Sequence, residues 1–214
     1  MTTFFTADLH LGHGNIMKYC QRLKFMTPEE AAIVVNGNPT EVKKLHISQA
    51  SVDRHDNWII DQINALVRPT DELRFVGDFC WCRDNYELIK FYRNRIYCRN
   101  FYMVYGNHDK RTREFFTQAN DKITITVNGQ KIQLNHEAMA IWDCRHYGAW
   151  HLYGHSHGRA EKWLDEIMPG RYSMDVGIDN AFNLVGEYRP FSFEEIAKIF
   201  STRSGFGLLS REDS

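Results

Sequence analysis

Asp, Asn and His residues gather in five short stretches of this chain. The stretches are Asp8-Leu9-His10, Gly77-Asp78, Gly106-Asn107-His108-Asp109, His136 and Gly154-His155-Ser156-His157. Imidazole nitrogens and carboxylate oxygens bind divalent first-row metals, whereas soft metal sites use thiolates. The stretches therefore predict a site for Mn, Fe, Zn, Co or Ni, with Mn²⁺ as the first expectation.

The spacing of these residues suits two neighbouring ions. One residue separates Asp8 from His10, so both side chains can turn toward the same ion, while His155 and His157 can divide between two ions. Asp78 stands alone at a strand end and is the natural candidate for a bridging ligand. Two ions about 3.5–4 Å apart can clamp a phosphoryl group and share a hydroxide that attacks in line.

A leaving oxygen also benefits from a proton, and His108 is the candidate donor because histidine titrates near neutral pH. Its neighbour Asn107 is a candidate ligand, and the carboxylate of Asp109 could orient its ring. We assign His108 the role of general acid, or of a hydrogen-bond donor to the transition state.

Predicted strands lead to these stretches. In α/β proteins, chemistry concentrates in loops at the carboxyl ends of strands. Apolar, β-rich patterns predict strands over residues 2–7, 72–76, 101–105, 123–127, 130–134, 150–153 and 172–178. Asn128-Gly129 predicts a hairpin turn between the fourth and fifth of them. A ligand stretch follows every strand except the fourth and the last.

Helices are predicted between the strands. Thr27-Pro28-Glu29-Glu30 is a capping box that opens a helix through Val34, and Ser192 with Glu195 caps the last helix. Apolar spacing predicts helices over residues 51–67 and about 84–94. Asn36-Gly37-Asn38-Pro39 breaks the first helix, so residues 36–48 are predicted to form a polar surface loop.

Composition limits the class of protein. The chain has 26 Lys and Arg against 27 Asp and Glu, which argues against a dedicated duplex-DNA binder. Its first six residues include no basic region leading an apolar stretch, it contains no apolar run of membrane-spanning length, and its five cysteines follow no disulfide spacing. We expect a cytoplasmic, soluble protein without membrane contact, in which Cys80 and Cys82 are free buried thiols. Its length predicts one domain, over residues 1–200. The polar, Gly-containing composition of residues 201–214 predicts a mobile tail, and the oligomeric state is left open.

The ordered motifs DxH, GD, GNHD, H and GHxH over residues 8–157 resemble those of the calcineurin-like metallophosphoesterase superfamily. That resemblance implies an α/β fold, a four-layer αββα sandwich of two mixed sheets flanked by helices. It also implies a first ion on Asp8, His10 and His157, a second on Asn107, His136 and His155, Asp78 as bridge, and His108 as the catalytic, non-ligand histidine. The extended motif over residues 8–16 resembles small bacterial and phage members. His136 has no local motif of its own, and it is preferred over His146 and His151 because it falls better between Asn107 and the last pair.

Several nearby residues have two interpretations each. At His13, contact with substrate or with a residue that supports a metal ligand competes with loop capping. Binding of a phosphate oxygen competes with solvated surface charge at Lys110, Arg111 and Arg159. A hydrogen bond to a ligand histidine competes with turn formation at Asp175 and Asp179.

The leading functional prediction is hydrolysis of a small phosphodiester or phosphomonoester, such as a nucleotide. A small protein phosphatase is the alternative enzyme. A non-catalytic interaction protein on the same fold is the alternative of another class, although it would be expected to have lost ligands. A mononuclear zinc hydrolase would need no Asn ligand and fewer His residues.

Overall fold

Short apolar strands separated by amphipathic helices build two mixed β-sheets. The computed structural model describes residues 1–82, 85–109 and 113–204. Within these ranges the elements are, in chain order, β1 (Thr3–Thr6), α1 (Gly14–Tyr19), α2 (Pro28–Asn36), α3 (Pro39–Lys44), α4 (Gln49–Leu66), β2 (Glu72–Val76), α5 (Tyr86–Asn94), β3 (Asn100–Val104), β4 (Gln118–Asn120), β5 (Lys122–Val127), β6 (Gln130–Asn135), β7 (Trp150–Tyr153), α6 (Glu161–Ile167), β8 (Ser173–Asp175), α7 (Ile178–Val185), β9 (Phe191–Ser192) and α8 (Phe193–Ser201).

The first sheet has the strand order β4-β3-β2-β1-β9, in which β1 to β4 are parallel and β9 is antiparallel to β1. The second sheet has the order β5-β6-β7-β8, with an antiparallel hairpin followed by parallel pairs. A bridge between Ala7 and Gly177 joins the ends of β1 and β8. The carboxyl ends of parallel strands from both sheets therefore meet in one region.

The two sheets pack face to face. Phe5, Val76 and Val104 of the first sheet share a buried apolar cluster with Leu134 and Leu152 of the second. On the outer face of the first sheet, Phe75 and Phe101 pack against residues of α4 and α5. Tyr153 on the second sheet packs against Leu164 of α6. The architecture is the predicted αββα sandwich of two mixed sheets.

Most predicted elements are confirmed. The hairpin turns at Asn128 and Gly129, both of which have positive φ, as a two-residue turn of this kind requires. The capping boxes of α2 and α8 form as expected.

Two predictions were wrong. Residues 36–48 are not wholly a loop, because Asn38 and Glu41 form a capping box that starts α3 directly after the break. The last predicted strand is shorter than expected: β8 ends at Asp175, and α7 begins at Ile178. Helices α1, α6 and α7 were not anticipated. Of the predicted tail over 201–214, residues 205–214 lie outside the described residues.

Candidate metal centre

The predicted ligands converge at the carboxyl ends of five strands. Loops after β1, β2 and β3 carry the first group, and loops after β6 and β7 carry the second. The first group is Asp8, His10, Asp78 and Asn107, and the second is His136, His155 and His157. Each sheet therefore supplies part of the site.

The backbone at this site is unusual. Asp8, His10, Asp78, His155 and His157 all have left-handed φ angles, between 51° and 67°. Residues other than glycine rarely adopt this conformation, although Asp, Asn and His do so more readily than most. Such strain persists where the surrounding structure enforces it, and it concentrates at functional sites.

The first cluster is Asp8, His10 and His157, whose ligand atoms all lie within 4.8 Å of one another. Among the described residues, Oδ1 of Asp8 and both ring nitrogens of His10 are buried without a hydrogen-bond partner. Burial lowers the pKa of His10 to about 2, so the imidazole is neutral, which is the form that binds metals. Buried polar atoms are otherwise nearly always satisfied. The orphaned Asp8 oxygen and the unprotonated nitrogen of His10 fit a cation that would accept their lone pairs.

The second cluster is Asp78, His136 and His155, again with ligand atoms within 4.8 Å. Oδ1 of Asn107 lies 3.1 Å from Nε2 of His136 and 3.0 Å from Nδ1 of His155. Nδ1 of His136 donates to the Val76 carbonyl at 2.8 Å, so its Nε2 is the ring nitrogen that faces the cluster. Four potential ligands thus face one small volume.

Asp78 lies between the clusters. Its Oδ2 is 3.5 Å from Nε2 of His10 and 3.4 Å from Nε2 of His136. Its Oδ1 accepts a hydrogen bond from the backbone N–H of His108 at 2.9 Å. One carboxylate oxygen is therefore available to both clusters, while the other is held by the backbone.

The charge of the site also favours cations. Burial raises the pKa of Asp8 well above its usual range, and the carboxylates of Asp175, Asp78 and Asp179 raise it further. Burial alone would lower the pKa of His136, but the carboxylates of Asp78 and Asp8 raise it to about 9. The carboxylates of Asp175, Asp78 and Asp179 thus disfavour the ionised form of Asp8, and bound cations would offset this repulsion. Nitrogen and oxygen donors in this setting fit divalent metal ions.

The residues behind the ligands fall into two groups. Asp179 accepts a hydrogen bond from Nδ1 of His157 at 2.7 Å, which is the ligand contact proposed for it. Asp175 instead accepts from the Ser156 hydroxyl and from the N–H groups of Gly158 and Gly177, so it fixes the loop and not a ligand histidine. A partner on one ring nitrogen orients a ligand histidine and sets its tautomer.

His108 lies beside the first cluster, with its ring centroid 5.5 Å from that of His10 and 4.8 Å from that of Trp81. The suggestion that Asp109 orients this ring was wrong. The Asp109 carboxylate accepts from the backbone N–H groups of Asp78, Phe79 and Gly106, at 2.7–2.9 Å. Asp109 therefore ties the loop after β2 to the loop after β3.

The ring of His108 borders a cavity of about 470 Å³. Its lining includes His13, Tyr19, Trp81 and Arg159. The ring of His13 stacks on Trp81 with centroids 4.1 Å apart, and Arg159 donates to the Tyr19 carbonyl. Lys110 and Arg111, the other candidate phosphate contacts, lie outside the described residues.

The other histidines considered as ligands are placed elsewhere. His151 is buried, with Nδ1 donating to the Gln133 carbonyl and Nε2 accepting from the N–H of Met139. His146 is exposed, and its ring lies beside that of Tyr147. Cys80 and Cys82 are free and buried, as expected.

Sequence reasoning missed two residues at this site. Trp81 forms part of the cavity wall, and its position three residues after Asp78 was the available signal. Arg22 is fully buried beneath the first cluster, and no local pattern in the sequence indicated it.

In the part of the chain that the structure describes, none of the helices has both the length and the apolar character of a membrane span.

Comparison with known proteins gave three kinds of match. The calcineurin-like phosphoesterase superfamily domain matches residues 45–170, which is more than half of the chain. The uncharacterised protein MJ1445 of Methanocaldococcus jannaschii is 27% identical over 92% of this chain and 89% of its own length. The solved structure of AQ665, a protein of unknown function from Aquifex aeolicus, has a TM-score of 0.62 and 18% identity, over 92% of this chain and 98% of its own. The structure of Yfce, a phosphoesterase from E. coli, has a TM-score of 0.35 and 14% identity, over 73% and 70% of the two chains.

Proposed function

Because the chain belongs to the calcineurin-like phosphoesterase superfamily, we propose that it uses two divalent metal ions to hydrolyse a small phosphodiester or phosphomonoester. The position of Asp78 carries this proposal. Its Oδ2 lies 3.5 Å from an imidazole nitrogen of the first cluster and 3.4 Å from one of the second. A ligand shared by two adjacent ions must occupy such a place.

Asp8, His10 and His157 would hold one ion, and Asn107, His136 and His155 the other, with Asp78 shared. When bound, the ions supply positive charge that polarises the phosphoryl oxygens and lowers the pKa of an attacking water. Mn²⁺ is the proposed metal, and Fe, Zn, Ni or Co would suit the same nitrogen and oxygen donors.

His108 would protonate the leaving oxygen, or donate a hydrogen bond to it. Its backbone N–H is anchored to Asp78, and its ring borders the cavity next to the first cluster. The side chain would therefore approach a bound phosphate from the cavity.

The cavity supports a small substrate. Its volume of about 470 Å³ falls within the range of small-molecule sites, roughly 300–1,000 Å³. The ring surfaces of Trp81 and His13 and the guanidinium of Arg159 offer apolar and cationic contacts to a nucleotide or similar ester. A phosphoprotein substrate would leave most of its surface outside this cavity.

Metal-free protein titrated with Mn²⁺ should bind two ions per chain and then hydrolyse bis-p-nitrophenyl or p-nitrophenyl phosphate. Asp78→Asn should weaken both ions and abolish turnover. His108→Ala should keep both ions but lower kcat by roughly 10²–10⁴-fold, the usual contribution of a general acid. His46→Ala, at an exposed site, is the control. Full activity of metal-free protein would refute the proposal.

A panel of cyclic nucleotides, dinucleotides and a phosphopeptide would then distinguish an enzyme that hydrolyses small esters from a protein phosphatase.

A further inference from the structure

Arg22 is a fully buried cation whose side chain has no unused donor. Nε and Nη2 donate to the two carboxylate oxygens of Asp179, at 2.9 and 2.7 Å. Nη2 also donates to the Asp8 carbonyl at 2.8 Å, and Nη1 donates to the Leu9 carbonyl at 3.0 Å and to Nε2 of His55 at 2.8 Å. A guanidinium has five N–H groups, and all five are matched here.

One branch of this network reaches a predicted ligand through Asp179. The Asp179 oxygen that accepts from Nη2 of Arg22 also accepts from Nδ1 of His157, at 2.7 Å. With Nδ1 donating, Nε2 is the nitrogen of His157 left with a free lone pair. Arg22 therefore fixes the carboxylate that fixes this ring.

A second branch holds the loop of the first motif. The carbonyls of Asp8 and Leu9 accept from Arg22, and the two predicted ligands in this loop have φ angles of 59° at Asp8 and 51° at His10. Bonds to consecutive carbonyls oppose relaxation of this left-handed backbone.

A third branch reaches the far end of the same loop. Because Nε2 of His55 accepts from Arg22, its Nδ1 carries the proton that is donated to Asp56, at 2.8 Å. The other oxygen of Asp56 accepts from the N–H of Gly12 at 2.9 Å and from the hydroxyl of Tyr92 at 2.7 Å. The network thus holds the loop over residues 8–12 at both ends.

We propose that Arg22 is a positioning residue for the first metal ion, acting through the loop over residues 8–12 and through Asp179. This inference rests on the proposed two-ion function. The three branches end on the backbone of the loop over residues 8–12 and on the side chain of His157. None of their hydrogen bonds reaches the side chains of His136, His155 or Asn107. Loss of Arg22 should therefore weaken one ion selectively.

The test uses the full chain with Arg22→Met and Arg22→Lys. Lys keeps the positive charge but cannot make five directed bonds, so it should not restore the site. Binding of Mn²⁺ would be followed by calorimetry, and the dinuclear centre by its spin-coupled electron paramagnetic resonance signal. We expect one ion to bind roughly 10–100-fold more weakly, as for other residues that orient a ligand. The second ion should change by less than about threefold, and the resonance signal should become that of isolated Mn²⁺.

Arg171→Met is the matched control. Arg171 is also fully buried and pairs with Glu161 and Asp165, but it makes no hydrogen bond to a predicted ligand. The Arg171→Met variant should be less stable than the wild-type protein and should still bind two ions. If Arg22→Met does not fold, Asp179→Asn replaces it, since this change preserves side-chain shape and breaks the paired hydrogen bonds.

Two results would overturn the inference while leaving the proposed function intact. Unchanged affinity for both ions in the Arg22 variants would show that Arg22 does not position the site. Equal weakening of both ions would show a general loss of structure. Failure of the wild-type protein to bind two ions would refute the proposed function, and the inference with it.

Discussion

At the scale of single residues, the site combines ligands that have a strained backbone with a glycine that leaves space for a ligand side chain. Five predicted ligands have left-handed backbone, a conformation that costs roughly 1–2 kcal/mol for an L-residue. Gly77 immediately precedes Asp78 and has φ of 95°. A Cβ at residue 77 would overlap the ring of His136. The glycine is therefore required both for its backbone and for the space beside it.

Gly77→Ala should displace the ring of His136 in the second cluster, and it should therefore destabilise the protein by more than the strain of its positive φ angle alone. Gly129→Ala is the matched control, because Gly129 has φ of 81° and nothing within 4 Å of its added Cβ. The control should lose about 1–2 kcal/mol and keep both metal ions. Gly77→Ala should lose a further 1–3 kcal/mol, roughly the cost of overpacking, and bind Mn²⁺ more weakly. Urea unfolding and Mn²⁺ titration measure both effects, and equal losses in the two variants would contradict this explanation.

At the scale of elements, the same capping motif serves helices with different roles. Thr27 and Glu30, Asn38 and Glu41, and Ser192 and Glu195 each form a capping box. Helix α8 buries Phe193, Ile196 and Phe200, whereas α3 buries no residue. Helix stability in proteins comes mainly from packing of an apolar face. The cap of α8 should therefore contribute to the free energy of unfolding of the whole protein. The cap of α3 should stabilise only that helix.

Ser192→Ala and Asn38→Ala test this difference. Ser192→Ala should lower the free energy of unfolding by about 1 kcal/mol, the usual value of such a cap. Asn38→Ala should change it by less than roughly 0.5 kcal/mol, as for exposed sites, while hydrogen exchange in α3 becomes faster. Chemical denaturation and hydrogen exchange by mass spectrometry give the two readouts. A larger decrease in the free energy of unfolding for Asn38→Ala than for Ser192→Ala would contradict the proposed difference between the two caps.

At the scale of the whole molecule, the candidate metal centre joins the two sheets. Asp8, His10, Asp78 and Asn107 come from loops of the first sheet, and His136, His155 and His157 from loops of the second. Ions held by both groups would link the sheets at the same edge as the bridge between Ala7 and Gly177. Metal binding and fold stability should therefore be coupled.

Removal of metal should lower the thermal midpoint of the protein. A ligand present at 100 times its Kd stabilises the folded state by roughly 2.7 kcal/mol, so excess EDTA should produce a shift of several degrees. Added Mn²⁺ should restore the midpoint, and Asp78→Asn should show a smaller shift. Identical melting curves with and without EDTA would argue against resident ions.

The pH dependence of stability should reflect buried neutral histidines. Burial lowers the pKa of His151 to about 4, against about 6.5 in an unfolded chain. Between these values the unfolded chain binds a proton that the folded protein does not. Stability from this group is therefore complete above pH 6.5 and falls as the pH drops toward 4, by up to about 3 kcal/mol.

His151→Gln should flatten this part of the stability profile. Because metal ligands titrate equally in both proteins, the difference between wild type and variant isolates His151. Urea unfolding at pH values from 7.5 to 4.5 measures it, with the exposed His146→Gln as control. Parallel profiles for wild type and His151→Gln would contradict the assignment.

The sequence by itself determined most of the longer elements and the candidate ligands that lie close to them along the chain. Strand patterns and short motifs predicted where Asp8, Asp78 and His155 stand, since a strand end and the residues just after it are local features. The capping box at Asn38 was also local, and it was missed because the preceding Gly37 and the following Pro39 were taken only as breaks.

The resemblance implied the two groups of ligands, but only the tertiary structure decided their distances and the other residues that they contact. Arg22 and Asp179 are 157 residues apart, and no periodicity or spacing links them. The separation of the two ligand clusters, the place of Asp78 between them and the use of Asp109 as a backbone anchor all depend on how two sheets pack. Side-chain chemistry is encoded locally, whereas distances between loops follow from burial of the common core, and that burial is a property of the whole chain.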